Sequence, residues 1–146
     1  MLIYNQQPGP ADCRSVVVPA CEPDGDPSQG ADIAALACFQ MRIRDKLDFT
    51  VDFSAWLAQN GNATLTSGTF AVSTDSPSTP TISGQAYAAG GKCVVVLTAP
   101  SGAKAGDAYW LDITAQISAT TPVLPTDVAI PARTLVRRIH VVVING

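Results

Sequence analysis

Apolar and polar residues alternate with a period of two through most of this chain, the period of strands that bury one face. In residues 46–60, KLDFTVDFSAWLAQN, Leu47, Phe49, Val51 and Phe53 point one way; Asp48, Thr50, Asp52 and Ser54 point the other. The alternation then breaks into Ser54-Ala-Trp-Leu-Ala-Gln, which reads as a short helical turn capped by Ser54. Asn60-Gly61-Asn62 closes it. Residues 63–73 alternate again, with the face carrying Phe70 and Val72 expected inside. A weak run covers 81–88. A strong one covers 92–99, where Cys93, Val95 and Leu97 oppose Val94 and Val96. Residues 108–119 set Tyr109, Leu111, Ile113, Ala115 and Ile117 against Trp110, Asp112, Thr114, Gln116 and Ser118. The last run, 133–144, sets Leu135, Arg137, Ile139, Val141 and Val143 against Val136, Arg138, His140 and Val142.

Short strands rich in β-branched residues and threonine, separated by Gly, Pro and Ser turns, predict an all-β fold. An immunoglobulin-like β-sandwich over residues 42–146 fits their number and spacing; a jelly roll is the competitor, but it usually needs more strands. Residues 1–41 read as an extended N-terminal arm. Pro8, Gly9, Pro10, Pro19, Pro23, Gly25, Pro27 and Gly30 interrupt everything except Ser15-Val-Val-Val. Such an arm builds no core of its own, so it is expected to lie on a neighbouring subunit or on the body of its own domain. Within it, residues 31–41 (ADIAALACFQM) predict a short helix capped by Asp32, with a strand from about Arg42. The alternative is a strand that runs directly into the next one.

Charge narrows the function. Only 14% of the residues are charged, against about 25% in an average soluble protein. That poverty fits a surface spent on partners. The net charge of −3 argues against non-specific nucleic-acid binding, which needs a basic surface. No apolar run approaches the ~20 residues of a membrane helix, and the N-terminus lacks the pattern of a signal peptide. The arm is acidic: Asp12, Glu22, Asp24, Asp26 and Asp32 face only Arg14. The last strand is basic, with Arg133, Arg137 and Arg138 and no acid after Asp127. The split predicts that the arm of one copy lies against the basic strand of another, with charge setting register more than affinity.

Candidate chemistry is sparse. Cys13, Cys21, Cys38 and Cys93 lack metal-site spacing and are expected as reduced, small apolar residues. A Cys13–Cys21 bridge would pin a loop of the arm. His140, the single histidine, reads as a half-exposed strand residue, and no G-x-S-x-G accompanies it. Asp48 and Asp52, with Asp45 or Asp112, could only begin a Ca²⁺ site, which needs six to eight oxygens. Solvated or salt-bridged carboxylates are the simpler reading, with Arg42, Arg44 and Lys46 close in sequence. Asp24-Gly-Asp26 reads as a turn, and the Asn62-Ala-Thr64 sequon has no secretory context. No enzyme, cofactor or metal is expected. Trp110, outward on its strand, reads as an interface anchor or sugar-stacking residue, or equally as a ring covered by the arm or a loop; Trp56 is expected to plug one end of the sandwich.

The block LDFTVDFSAWL at 47–57, followed by NATLTSGTFAVS at 62–73, resembles tailed-bacteriophage virion proteins of the fiber–tail adaptor type. Phe49 and Phe53 stand where those proteins commonly have Tyr and Trp, and Phe70 sits at the aromatic of their second strand. The runs at 92–97, 109–117 and 137–143 follow in the same order, so the likeness covers residues 46–146. The arm is longer than the usual leader. The resemblance implies a non-enzymatic structural protein of the virion, present in several copies, joining tail or neck components to fibers. Its partners would be other phage structural proteins and copies of itself. A head decoration or cement protein is the first alternative, since a long arm also suits capsid clamping. A carbohydrate-binding sandwich on a receptor-binding device is the second. The interface candidates are Asp12, Glu22, Asp24, Asp26, Trp110, Arg133, Arg137 and Arg138.

Overall fold

The computed structural model describes residues 12–20, 35–120, 124–126 and 128–145. Eight strands form two four-stranded sheets that pack face to face, an all-β sandwich. The strands are β1 (Ser15–Val17), β2 (Ala35–Arg42), β3 (Lys46–Asp52), β4 (Leu65–Thr74), β5 (Thr81–Tyr87), β6 (Lys92–Thr98), β7 (Ala108–Ile117) and β8 (Arg133–Ile144). One sheet has the order β1-β3-β6-β5, the other β2-β8-β7-β4. β1 and β2 run parallel to their neighbours β3 and β8; the remaining pairs are antiparallel.

The core is the set of inward positions that the alternation selects. Phe49 and Val51 of β3 and Cys93, Val95 and Leu97 of β6 come from one sheet; Tyr109, Leu111, Ile113, Ala115 and Ile117 of β7 and Ile139, Val141 and Val143 of β8 come from the other. All are essentially inaccessible to solvent, so nearly every alternate residue of β7 contributes its full apolar area. A helix of six residues, α1 (Ser54–Gln59), follows β3 and buries Trp56 and Leu57 at one end of the sandwich. Trp56 is therefore the plug that its position suggested. Ser54 is not the cap. Phe53 occupies that position, and the Ser54 N–H donates to the Asp52 carboxylate at 2.9 Å.

The arm needs one correction. Ala35–Arg42 is a strand, not part of a helix, and pairs with β8 from Ala35↔Arg138 to Arg42↔Ile144. A register irregularity between Ala35 and Cys38 puts Leu36, Phe39 and Met41 toward the core. A bulge thus imitates the i, i+3 spacing of a helix face. The turn that follows is tight: Arg44 has φ of 70°, and Asp45 accepts the Arg42 N–H on its carboxylate at 3.0 Å. It carries the chain from one sheet to the other, so the strand after it starts at Lys46 rather than Arg42. The described part of the arm lies on the body of its own domain, one of the two supports expected for it. Asp12–Arg14 forms one 3-10 turn, and Ser15–Val17 adds an edge strand to β3 of its own chain. Val18 is fully buried.

β4 departs from the simple alternation as well. A register shift between Leu65 and Ser67 brings Leu65, Gly68 and Phe70 to the same inner face. At that edge the Phe70 N–H donates to the Gln85 side chain of β5 at 2.8 Å, which closes one open rung of β4 against the facing sheet.

Candidate functional site

The outward face of the β2-β8-β7-β4 sheet carries the densest cluster of polar and aromatic side chains that the sequence singled out. The register builds it. His140 lies directly opposite Trp110 on β7 and Cys38 on β2; one step away, Arg138 lies opposite Asp112. The Trp110 and His140 rings stack face to face, with centroids 3.9 Å apart and planes 11° from parallel. Arg138 grips Asp112 with both prongs of its guanidinium, at 2.7 and 3.1 Å, and lies 5.5 Å from the Trp110 ring centre. The ion pair is partly exposed, so solvent reduces it to roughly 1 kcal/mol. Its larger effect is geometric: it fixes a cation beside the indole.

His140 is held in this cluster by its partners. Its Nδ1 lies 3.6 Å from the Cys38 sulfur, while Nε2 is buried without a hydrogen-bond partner. Burial lowers the imidazole pKa below the ordinary 6.5, because the charged form loses solvation. The unfolded chain therefore binds this proton more readily. The resulting stability is present above pH 6.5 and is lost as the pH falls through the folded value. Trp110 emission is expected to drop over the same interval as the stacked ring becomes cationic. The drop should vanish in His140→Gln and in Trp110→Phe. A midpoint at or above pH 6.5 in a fluorescence titration would contradict the burial of this ring.

Among the described residues, two of those expected at an interface come together, Trp110 and Arg138. Arg133 lies at the opposite end of β8, with its guanidinium 5.1 Å from the Trp56 ring centre and Nη2 donating to the Asn60 carbonyl at 3.2 Å. Arg137, on the other phase of the strand, is half-buried and donates to the Val136 carbonyl at 2.8 Å. The three arginines thus do not form one basic surface. Of the acidic candidates, Asp12 opens the 3-10 turn, and its side chain lies outside the described residues, as do Glu22, Asp24 and Asp26.

The part of the arm that is described lies on the other sheet of its own chain. Arg14 donates to the Asp48 carbonyl at 2.8 Å and to its carboxylate at 3.0 Å, and the Val18 N–H donates to the Asp52 carbonyl. Asn60 donates to the Ala20 carbonyl at 3.3 Å. Arg14, distant in sequence, is thus a partner of Asp48. β8 pairs with β7 from Arg133 to Val142, but with β2 only from Arg138 to Ile144.

A second feature lies along the side of the sandwich where the edge strands β1 and β2 meet. A cleft of about 370 Å³ opens there, lined among the described residues by Cys13, Arg14, Cys38, Phe39, Gln40 and Leu47. Cys13 and Cys38 are exposed free thiols, and Cys93 is a free thiol in the core. The alternative to reduced thiols, a Cys13–Cys21 bridge, involves a residue outside the described ones. The sequence signal for Cys38 was absent: nothing in its neighbourhood points to His140, which is 102 residues away. No known protein-family model matches this sequence, and no curated protein matches it.

Proposed function

We propose that this chain is a non-enzymatic structural module of a tailed-phage virion, an immunoglobulin-like adaptor that joins tail or neck components to fibers in a multi-copy assembly. The observation that carries the reading is the LDFTVDFSAWL block on a sandwich scaffold. In the structure it becomes the first core strand, β3, and the α1 plug. What supports the immunoglobulin-like part is strand order. β3-β6-β5 facing β8-β7-β4 follows the order B-E-D facing G-F-C of that fold. The motif is consumed by the core, so recognition falls to the outer sheet face with Trp110 and Arg138, residue types that anchor protein interfaces.

Mass spectrometry and electron cryo-microscopy of virions from the phage that encodes the chain test this reading. The expected result is density for the sandwich at the neck or tail, in a copy number that matches the tail symmetry. Density spread over the capsid lattice would instead make it a decoration protein. A virion that lacks the chain overturns the structural role altogether. Glycan-array binding that is lost in Trp110→Ala would move the assignment to the carbohydrate-binding alternative.

A further inference from the structure

We propose that Cys38 is a thiol–disulfide exchange site and Cys13 its resolving partner, the two closing into a disulfide that clasps the open side of the sandwich. The inference is independent of the structural role proposed above. Three observations carry it. Both cysteines are exposed free thiols, and both residues line the same 370 Å³ cleft, one on a turn beside one sheet and one on a strand of the other. Each sulfur also has a nitrogen beside it. The Arg14 guanidinium lies 3.8 Å from the Cys13 sulfur, and His140 Nδ1 lies 3.6 Å from that of Cys38. The third is the buried, partnerless Nε2 of His140. A buried N–H without an acceptor is rarer and costlier than a buried lone pair without a donor. The tautomer with its hydrogen on Nδ1 is therefore favoured, and that hydrogen points to the Cys38 sulfur. Trp110, stacked on the imidazole, keeps the ring in this orientation.

Cys38 is thus an exposed thiol beside a hydrogen-bond donor that favours its thiolate, with a second thiol in the same cleft, as in redox-active pairs. Arg14 in the cleft favours an anionic low-molecular-weight disulfide, of which glutathione disulfide is the probe. The Cys38 thiolate attacks one sulfur of the probe, its S–S bond breaks, and one glutathione thiolate leaves and is protonated from solvent. The Cys13 thiolate then attacks the Cys38 sulfur and expels the second glutathione. Two electrons pass from the protein thiols to the probe. A disulfide needs Cα atoms within about 7 Å, whereas packed sheets lie about 10 Å apart. The Asp12–Arg14 turn must therefore move inward, against the three rungs of β1 and the bonds of Arg14 to Asp48 that hold it nearby. Cys93 is the internal control. It is buried, and desolvation with the nearby Asp52 carboxylate pushes its thiol up to about 12.

The test is to expose the reduced full-length chain to glutathione disulfide, trap remaining thiols by alkylation and map the peptides. The expected result is a passing glutathione adduct on Cys38 that converts to a Cys13–Cys38 link, with Cys93 unmodified. The link should survive Cys21→Ser, and adduct formation should slow several-fold in His140→Gln. The closed form should melt on the order of 5–10 °C above the reduced one. A dominant link to Cys21, a lasting adduct on Cys38, or an unchanged rate in His140→Gln overturns the proposal.

Discussion

Phe49→Ala is expected to lower the free energy of unfolding by about 3–5 kcal/mol. That is a large part of the roughly 5–15 kcal/mol by which a domain is stable. Phe49 is fully buried at the centre of β3, directly opposite Val95 on β6. Its ring also reaches across the sandwich, 5.4 Å from that of Phe39 on β2 at an angle of 44°. Truncation thus leaves a cavity and removes one of the contacts that hold β2, an edge strand, against the facing sheet. Urea unfolding followed by circular dichroism should show a much lower midpoint at unchanged slope. Phe39→Ala, at a half-buried site, should cost less. The double variant should cost less than the sum, because the two rings share a contact. A loss below ~1 kcal/mol for Phe49→Ala would mean that this motif is not the core strand.

The same residue marks how far the sequence could be read. β6, β7 and β8 are straight ladders, so a period of two assigns their faces correctly along almost their whole length. Tyr109 to Ile117 shows this best, with every alternate side chain buried. Reading fails where the ladder has an extra residue. Residues 31–41 read as a helix because Ile33, Leu36, Ala37 and Gln40 share a helical face, whereas the bulge in β2 turns Leu36 and Phe39 inward. In β4 the shift after Leu65 moves that leucine to the face assigned to Phe70. A bulge is fixed by pairing with a strand distant in sequence, and no local pattern specifies it.

The candidate site divides in the same way. That Trp110, Arg138 and His140 point outward follows from alternation alone. Their meeting does not, because stacking requires the register of β7 against β8. The contact of His140 with Cys38 further requires β2 to lie parallel on the far side of β8. The arginines divide likewise. Alternation puts Arg137 and Arg138 on opposite faces, but that Arg133, in the phase of Arg137, covers Trp56 needs the helix packed beside it.

Gly91→Val should be the most damaging single change outside the hydrophobic core, about 3–5 kcal/mol. Gly91 is buried in the turn from β5 to β6 and has φ of 118°, a conformation that side chains rarely adopt. A Cβ there would stand 2.7 Å from the Ser54 nitrogen and 2.9 Å from its Cα, both backbone atoms that cannot swing aside. The position is also a joint. The Gly91 carbonyl accepts the Phe53 N–H at 2.7 Å, its own N–H donates to Ala88, and the Ala89 carbonyl accepts the Leu65 N–H. The turn therefore holds the end of β3, the start of α1 and the start of β4 in one place. Strain at Gly91 is expected to loosen the Trp56 plug before it loosens the sheets, with Trp56 emission shifting to the red ahead of the main unfolding transition. Gly90→Ala supplies the comparison. Its Cβ would meet nothing within 4 Å, so that variant should differ from wild type by less than about 1 kcal/mol. Equal losses at the two glycines would show that the turn is merely intolerant of side chains. A large loss at Gly91 alone ties it to the contact that converts the core strand into its helical plug.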